Sequence, residues 1–536
     1  MKDKHCGHTS TSTELRGTAE QGRLVLAELL DRLDGAFPAA AGRHRLGPGA
    51  YLVPLGGGST LLVALAPAGP ARDRSNGQLV LSATLLDRTG LQDADVAQAL
   101  DCLEAVPFTG WECDAFTEQL PLLAGLPKRM PDKPLGECGL LLVGHLLSDL
   151  VVQTRTLIAL GARPEAMTVL DKGYPHKLRR RVEAHLAGLG IAVLPASDVE
   201  TALRLHAARV MEPSVVVDDG GQVAPVLATL VPELIPAYRG LVEQSMAGVA
   251  ELEELEAAGA GLPLPVFSVA QSKVKLGIEA RWIAESVVRA IRELVPGEAF
   301  DGAPALVLGF GPVGEQVAAV LRGQRMRVAV HDGEWPRLLA AHEAGYLTSP
   351  EVPALLDGHR PLLIVSSTGR GGSSGLPALG GEDLDFLAGE CFVASVSGRG
   401  AEIDLPGLAA RAERIEDLGR VGVRYVLPAG LVTVLGDGLR VNASRGDPGG
   451  GAPARQSDLA LAAVVWGACT LARPGHGFGA GADVTATDAS IADSGLVEKY
   501  YRLYGPGGDA DARRPRARGG AGAGRRSRGR ARISEV

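Results

Sequence analysis

The pattern of apolar and polar positions changes near residue 139. Before it, short runs of alternating apolar and polar residues are separated by Gly, Pro and Asn, which is typical of strands joined by turns. We predict strands over residues 50–54, 59–66 and 78–81 and helices over 24–33 and 93–103. This first part of the chain is therefore expected to be a mixed α+β unit.

Beyond residue 139, wholly apolar runs alternate with helical periodicity, the pattern of a parallel sheet with right-handed crossovers. The predicted strands are 140–143, 167–171, 192–194, 214–217, 305–308, 327–330, 361–366 and 390–396, followed by a hairpin of 423–427 with 431–435. The predicted helices are 148–160, 177–189, 200–208, 242–258, 278–294, 315–321, 336–345 and 458–471; residues 263–275 are expected to be extended, and the aromatic-rich 497–504 to dock on another surface.

The stretch from Pro304 to Asp332 carries the most specific local signal. A buried strand runs directly into GFGPVG, in which Gly309, Gly311 and Gly314 have the G-x-G-x-x-G spacing, and a helix and a second strand follow. The first glycine allows a tight turn, the second lets a pyrophosphate approach the backbone, and the third lets helix and strand pack closely. The free amides at the helix N-terminus suit phosphate. This order of elements predicts a dinucleotide site, and a structural glycine turn is the alternative.

Asp332 ends the second strand of this unit. It lies roughly 20 residues after the glycines, where a carboxylate accepts hydrogen bonds from the ribose hydroxyls of a dinucleotide. Because a carboxylate at this place repels a 2′-phosphate, the sequence predicts NAD in preference to NADP.

Composition and charge narrow the classes of function. The chain of 536 residues is long enough for two or three domains and has a net charge of −8. No basic footprint for nucleic acid covers its body, and the Arg-rich tail lacks interleaved aromatic residues, so we expect a solvated tail without nucleic-acid contact. The six cysteines form no C-x-x-C pair, which indicates neither a disulfide framework nor a zinc site.

The lack of a secretory signal and of a membrane-spanning run predicts a cytoplasmic protein. The N-terminus has no secretory signal, and no apolar run reaches the roughly 18 to 20 residues of a membrane span. Residues 1–20 and 505–536 are expected to be disordered. His5, Cys6 and His8 lie in the first of these segments and are interpreted as incidental, so no metal is predicted.

A series of segments, in this order, is far more specific than the glycine motif alone. They are VVQTRTLIALGA at 151–162, SVVVDDGG at 214–221, RGLVEQSMAGVAELEELEAAG at 239–259, PVFSVAQSKVK at 265–275, GFGPVGEQVAAVLRGQRMRVAVHD at 309–332 and HEAGY at 342–346, extended by SSTG at 366–369, AEIDL at 401–405 and LRVNA at 439–443. The series resembles the adenosylhomocysteinase (S-adenosyl-L-homocysteine hydrolase) family. It leaves the first 130 residues outside the resemblance.

The resemblance implies a fold and a reaction. We expect an α/β protein in which a Rossmann-type, doubly wound NAD domain (residues 285–445) is inserted in a second parallel α/β domain of substrate type (132–284 and 446–504), with an N-terminal α+β extension (21–131). In this family, a tightly held NAD oxidises the 3′-hydroxyl of a nucleoside, the thiol is eliminated from C5′, water adds, and the hydride returns. The family forms tetramers, so a homo-oligomer (dimer or tetramer) acting on a small-molecule substrate is expected.

The same resemblance assigns site residues. The positions that match NAD contacts are Gly309, Gly311, Pro312, Val313, Gly314, Asp332, Ser366, Ser367, Thr368, Gly369, Asn442 and Ser245. Asp219 matches the catalytic aspartate, and Lys273 matches the lysine beside the oxidised hydroxyl. Lys499 and Tyr504 are candidates for the C-terminal pair that reaches the NAD of a neighbouring subunit.

Other catalytic positions of the family are replaced. The replacing residues are Gly277, Ile278, Gln244, Gly398 and Asp447, with Asp149 near a family histidine and Trp282 near its cysteine, while Met246 and Ala247 interrupt the threonine row that Ser245 begins. Elimination and hydration need a proton shuttle that works near neutral pH, for which His is best suited. His145, His176 and His476 are candidates for that role, or else ordinary surface and core histidines.

Three functions follow as alternatives. The chain is an NAD-dependent enzyme that oxidises a hydroxyl of a nucleoside-like or other small substrate, a non-catalytic NAD-binding relative with a structural or sensing role, or a genuine adenosylhomocysteine hydrolase of one-carbon metabolism. An unrelated dehydrogenase is a further alternative.

Overall fold

The computed structural model describes residues 10–38, 42–56, 59–67, 77–86, 93–173, 178–369, 377–396, 402–443 and 454–506. These residues form three sheets, one antiparallel and two built mainly from parallel strands. The predicted α/β fold with a separate α+β extension is confirmed. None of the described helices combines the length and apolarity needed to cross a bilayer.

The N-terminal extension is a five-stranded antiparallel sheet in the order β1-β5-β4-β3-β2, with two helices. Alternate residues of its strands, such as Val63 and Leu81, pack with Leu29 and Leu33 of the first helix. The elements are β1 Ser10–Arg16, α1 Ala19–Ala36, β2 His44–Gly47, β3 Ala50–Gly56, β4 Ser59–Pro67, β5 Gln78–Leu85 and α2 Asp93–Glu104.

Residues 10–20 differ from the predicted disorder. Ser10–Arg16 pairs with β5 along its whole length, and Thr18 caps α1 by accepting a hydrogen bond from the Gln21 amide at 3.2 Å. Most of β1 is polar, and only Leu15 is buried in the core of the extension, so the sequence gives a weak strand signal. Pairing with β5 and the Thr18 cap supply the rest of the order. Residues 1–9, with His5, Cys6 and His8, lie outside the described residues.

The substrate-type domain begins after two short helices, α3 Gly110–Gln119 and α4 Pro121–Ala124. Its strands Gly139–Gly144, Met167–Asp171 and Ser214–Asp218 are almost wholly buried, as expected for a parallel sheet that helices cover on both faces. The elements are β6 Gly139–Gly144, α5 Ser148–Ala159, β7 Met167–Asp171, α6 Arg179–Gly188, β8 Ala192–Pro195, α7 Val199–Arg209, β9 Ser214–Asp218, α8 Ala224–Thr229, β10 Tyr238–Glu243, α9 Met246–Ala257, β11 Pro265–Ser268 and α10 Ala280–Leu294.

Two predictions in this domain need correction. The helix predicted over 242–258 is strand β10 followed by α9, because residues 238–243 pair in parallel with both β9 and β11. The extended segment predicted over 263–275 holds only the strand Pro265–Ser268; a single π-helical turn, Lys275–Glu279, leads into α10.

The inserted domain is an eight-stranded sheet in the order β14-β13-β12-β15-β16-β19-β18-β17, of which the last two strands are antiparallel. Strand order reverses between β12 and β15, which creates a crevice at the carboxyl ends of the central strands. The elements are β12 Pro304–Leu308, α11 Pro312–Gly323, β13 Arg327–His331, α12 Trp335–Glu343, β14 Leu347–Thr348, α13 Val352–His359, β15 Leu363–Ser366, β16 Gly389–Ser395, α14 Leu405–Arg411, β17 Arg414–Asp417, β18 Gly422–Leu427 and β19 Gly430–Leu435.

The chain then returns to the substrate-type domain through α15 Ala454–Ala472, β20 Gly481–Ala482, α16 Val484–Asp493 and α17 Leu496–Tyr504. The strand β20 joins the edge of a seven-stranded parallel sheet in the order β20-β11-β10-β9-β6-β7-β8. Tyr504 donates a hydrogen bond to the buried Asp458 at 2.7 Å, so the predicted aromatic segment docks within its own chain. The exact domain boundaries stay a prediction.

Candidate functional site

A cavity of about 520 Å³ opens at the carboxyl ends of β12, β13 and β15. Its walls come from both parallel domains, since Met246 and Ala247 at the start of α9 face it across from the glycine turn. Eight of the residues predicted to contact NAD line it: Gly309, Gly311, Pro312, Val313, Asp332, Ser367, Thr368 and Gly369.

The three glycines of GFGPVG differ in what surrounds them. A Cβ atom on Gly314 would lie 1.9 Å from the carbonyl oxygen of Gly309, and one on Gly309, whose φ is +94°, would lie 2.7 Å from the carbonyl oxygen of Ser367. Gly311 is different, because a Cβ there would meet only the guanidinium of Arg337 at 3.7 Å. Gly309 and Gly314 therefore maintain the turn, and Gly311 leaves open space above the N-terminus of α11.

Asp332 is buried with its carboxylate against the same turn. Its Oδ2 accepts a hydrogen bond from the Phe310 amide at 2.6 Å, and its Oδ1 accepts one from the Glu334 amide at 2.8 Å. Each carboxylate oxygen has a second lone pair. The group therefore keeps acceptor capacity toward the cavity while its position is fixed by backbone.

The loop after β15 is held by Glu402, a buried carboxylate that the sequence did not single out. Its Oε1 accepts from the Gly369 amide at 2.9 Å, and its Oε2 accepts from the Thr368 amide at 3.1 Å and from the hydroxyl of Ser366. Ser366 thus faces Glu402 rather than the cavity, whereas Thr368 and Gly369 line it. Residues 370–376 and 397–401 lie outside the described residues.

Asn442 and Ser245, the other two predicted contacts, occupy different environments. The Nδ2 atom of Asn442 donates to the Ser286 hydroxyl at 2.8 Å, while its buried Oδ1 has no hydrogen-bond partner among the described residues. Ser245 caps α9, accepting from the Gly248 amide at 3.0 Å, and donates to Glu243 at 2.9 Å. Ser245 is therefore a structural cap, and Asn442 offers an unused acceptor.

A second polar cluster surrounds Asp219 at the carboxyl end of the other parallel sheet. The Asp219 Oδ2 atom lies 3.3 Å from Lys172 Nζ and 3.6 Å from His145 Nε2, and Lys172 also donates to the Asp219 carbonyl at 2.7 Å. Burial works to raise the pKa of Asp219, but the positive charges of Lys172, His145, Arg440 and Lys275 outweigh it and hold the pKa at about 2. We call these five residues the Asp219 cluster.

The Asp219 cluster joins the two parallel domains. Lys172 follows β7 and His145 follows β6, whereas Arg440 comes from the inserted domain, where its backbone bridges to Ser395 at the end of β16. The Nε atom of Arg440 is buried without a hydrogen-bond partner in the described structure. Of the three histidines considered from the sequence, His145 is the one brought to Asp219; His476 lies elsewhere, and His176 is outside the described residues.

Two further carboxyl groups lie beneath the cluster. Asp218 accepts hydrogen bonds from the amides of Val223 at 2.8 Å and Gln222 at 3.2 Å. Glu243 is completely buried; its Oε1 accepts from the Ser245 amide at 2.8 Å, and its Oε2 has no partner in the described part of the chain. Burial, and then the charge of Asp218, raises the pKa of Glu243 well above its usual range. Sequence reasoning missed Glu243 because the helix predicted over 242–258 included it.

The structure does not bring Lys273 to this cluster. Its side chain is 90% exposed, and its Nζ lies 3.8 Å from Asp488 of α16. Lys275, two residues later, is only 22% exposed, forms an ion pair with Glu279, and contributes to the lowered pKa of Asp219. The π-helical turn that starts at Lys275 therefore directs the second lysine of SKVK, rather than the first, toward Asp219.

The remaining replaced positions add few polar groups. Gly277 and Ile278 lie in the π-helical turn, and Gln244 follows β10, where its amide donates to the Asp218 carbonyl at 3.1 Å. Gly398 and Asp447 lie outside the described residues. No group of three or more His, Cys, Asp or Glu side chains in the described ranges is arranged to hold a metal ion.

Comparison with known proteins gives the following likenesses. The chain is 26% identical over 359 residues to an adenosylhomocysteinase of Saccharolobus solfataricus, covering 64% of this chain and 80% of that protein. It is 25% identical over 369 residues to an S-inosyl-L-homocysteine hydrolase of Methanopyrus kandleri, covering 67% and 82%. No protein-family model matches. The resemblance predicted from the sequence is thus confirmed, at the level of a divergent relative.

Solved structures resemble the chain only distantly. The A chain of dipicolinate synthase from Bacillus subtilis has a TM-score of 0.33 and 12% identity, covering 61% of this chain and 94% of that chain. A glyoxylate reductase from Paecilomyes thermophila has a TM-score of 0.32 and 15% identity, covering 51% and 77%. Similarity at this level leaves the function to be argued from the site itself.

Proposed function

We propose that this divergent relative of the adenosylhomocysteinases binds NAD in the cavity above Gly311 and uses it to oxidise a hydroxyl of a nucleoside-like or other small substrate held beside Asp219. The observation that carries the proposal is the open space over Gly311, at the N-terminus of α11, with the Asp332 carboxylate fixed beside it. Met246 lines the cofactor cavity and Arg440 acts on Asp219, so each of the two sites includes residues of both parallel domains.

The residues of the cavity fit a dinucleotide. The free amides at the start of α11 would bind the pyrophosphate, and the remaining lone pairs of Asp332 would accept hydrogen bonds from the adenosine ribose. The unpartnered Oδ1 of Asn442 would accept a hydrogen bond from the carboxamide of the nicotinamide. A buried carboxylate at Asp332 also disfavours the 2′-phosphate of NADP. When bound, NAD supplies the hydride acceptor.

On the substrate side, the Asp219 cluster would bind and polarise the hydroxyl. Asp219 stays ionised throughout the physiological pH range because its pKa is about 2, and its Oδ2 lies 3.3 Å from Lys172 and 3.6 Å from His145. Lys275 and Arg440 add positive charge, which favours an oxygen that is losing its proton. We assign the electrostatic role predicted for Lys273 to Lys275.

The first test is whether the protein carries a redox-active cofactor. We expect the purified full-length chain to retain NAD, detected by mass spectrometry after denaturation, and to show the absorbance of reduced nicotinamide when adenosine or inosine is added. Retained NAD that no nucleoside reduces would favour the non-catalytic relative. Protein that neither retains nor binds NAD in calorimetry would refute the proposal.

A pair of lysine variants tests which lysine acts. We expect Lys275→Met to slow reduction of the bound NAD about 10²-fold, the typical effect of removing one preorganised charged donor, with NAD retention unchanged. Lys273→Met should react at nearly the normal rate, because its side chain is solvated and 90% exposed. The opposite result would support the sequence-based assignment of Lys273.

A non-catalytic NAD-binding protein remains the second candidate, and one observation favours it. Within the described residues, the positions that the resemblance assigns to an aspartate, an asparagine and a ribose-binding glutamate are occupied by Gly277, Ile278 and Gln244 instead. Full adenosylhomocysteine hydrolysis is the third candidate function, because it needs more proton transfers than oxidation alone. We still predict a homo-oligomer, a cytoplasmic location and a contact of Lys499 with a neighbouring subunit.

A further inference from the structure

Arg337 is a charged residue of the cofactor cavity that the sequence did not single out. It lies in the first turn of α12, shortly after Asp332, and it lines the cavity. Its Nη1 atom lies 3.7 Å from the position that a Cβ atom on Gly311 would occupy. The guanidinium therefore lies beside the open space above the N-terminus of α11, within reach of a group bound there.

The charged residues around the cavity are mostly acidic. Among the described residues that line it, Arg337 is the only lysine or arginine, whereas Asp332, Asp383 and Glu402 are acidic. A dinucleotide brings an anionic diphosphate into the same space. Because like charges repel more strongly where water is displaced, this group needs a positive charge close to it. The guanidinium of Arg337 supplies that charge, together with the partial positive charge at the N-terminus of α11.

The N-terminus of α11 is by itself a weakened phosphate site. Gly311 is the N-cap and Pro312 is the first helical residue, so the first turn lacks one of its free amides because proline has no N–H. Glu315, also in this turn, places a negative charge near the end that would bind the diphosphate. An arginine is a suitable additional donor, because its planar fork of N–H groups matches two oxygens of a phosphate.

The ion pair that Arg337 already makes does not prevent this contact. Its Nε atom lies 3.3 Å from Oε2 of Glu334, and the two side chains are 45% and 49% exposed. Such an exposed pair contributes little to stability, because solvent screens both charges. An arginine has five N–H donors, so pairing through Nε leaves several of them for a phosphate. Glu334 therefore holds the guanidinium beside the cavity without using up its capacity to bind an anion.

We propose that Arg337 binds the diphosphate of NAD together with the amides of α11 and so fixes the cofactor in the cavity. This inference rests on the proposed function, since it names a further residue that binds the same cofactor. The 2′-phosphate of NADP has similar chemistry. The diphosphate is the better ligand, because the guanidinium lies beside Gly311 and the Asp332 carboxylate repels a phosphate on the ribose.

Calorimetry on the NAD-free full chain tests the assignment. We expect Arg337→Met to bind NAD about 10-fold more weakly, the lower end of the effect of one hydrogen bond to a charged group, because the side chain is 45% exposed. ADP carries a diphosphate without the nicotinamide, and its affinity should fall by the same factor. Arg337→Lys should recover part of the affinity, since it keeps the charge but not the planar fork.

The salt dependence of binding is a second readout, which a purely structural role of Arg337 would not change. The affinity of the unchanged protein for NAD should fall as NaCl is raised, and it should fall less steeply in Arg337→Met, because one screened attraction is missing. Arg289→Met is the matched control. Arg289 is 48% exposed, lies 3.9 Å from Glu293 on α10 and is not among the described residues that line the cavity, so both quantities should stay normal.

The outcomes separate the two proposals. If Arg337→Met binds NAD and ADP as tightly as the unchanged protein, the role of Arg337 is refuted while the proposed function stands. A loss of affinity for NADP alone would also refute it, since the arginine would then bind a 2′-phosphate. Parallel weakening of NAD and ADP, with recovery in Arg337→Lys, supports it, even if no nucleoside reduces the cofactor and the proposed oxidation fails. Unchanged protein that binds neither NAD nor ADP would refute both proposals.

Discussion

Gly311→Val is expected to weaken NAD binding by about 10³-fold. The valine side chain would occupy the space above the N-terminus of α11, so the pyrophosphate could no longer reach the backbone amides. Each hydrogen bond to a charged group contributes about 1.5–3 kcal/mol, and losing two of them corresponds to this change in affinity. Isothermal titration of the NAD-free protein would measure the effect.

The same substitution should leave the fold intact. Gly311 has an ordinary extended conformation, with φ −71° and ψ −176°, and the only atom near its absent Cβ is the end of a flexible arginine. The cost in the apo protein should stay near the roughly 1 kcal/mol of a poorer helix cap. Gly323→Ala, in the same helix and with nothing within 4 Å, is the matched control and should bind NAD normally. Equal affinity in the two variants would exclude a dinucleotide at this turn.

Local sequence pattern was sufficient for the strand–helix–strand unit of β12, α11 and β13. Its turn needs glycine because a side chain would clash with nearby backbone: at Gly314 with the turn itself, and at Gly309 with the residue that follows strand β15. The apolar run, the glycine turn and the apolar face of the helix are therefore enough to predict the fold of this unit. The cavity follows from them, since parallel strands place their carboxyl ends at one edge.

The Asp219 cluster could not be predicted in the same way. Glu243 was missed because RGLVE becomes a strand only by pairing between β9 and β11, while the following residues are strongly helical. The choice between Lys273 and Lys275 depends on where one π-helical turn begins, and the sequence contains no sign of that turn. Burial raises the pKa of Asp149, and the charge of Asp219 adds to the rise. Both causes depend on tertiary packing that the local sequence does not show.

Arg181→Met is expected to destabilise the contact between the N-terminal extension and the substrate-type domain by about 3–5 kcal/mol, the usual cost of leaving one member of a buried ion pair alone. Arg181 is almost fully buried and donates to Glu112 at 2.9 and 3.1 Å. It also donates to the carbonyls of Val106 and Pro107 and lies 4.3 Å from the ring centre of Phe108. Urea denaturation would measure the loss.

Two further variants test whether the unpaired buried charge causes the destabilisation expected for Arg181→Met. Arg180→Met, on the same helix, removes a guanidinium whose partners Asp101 and Glu183 are solvated, so it should cost about 1 kcal/mol or less. Adding Glu112→Gln to Arg181→Met should restore part of the stability, because glutamine carries no charge and can still donate from its side chain or accept from the Thr109 amide at the helix cap. If the double variant is less stable than Arg181→Met alone, the lost packing on Phe108 rather than the unpaired carboxylate holds the extension in place.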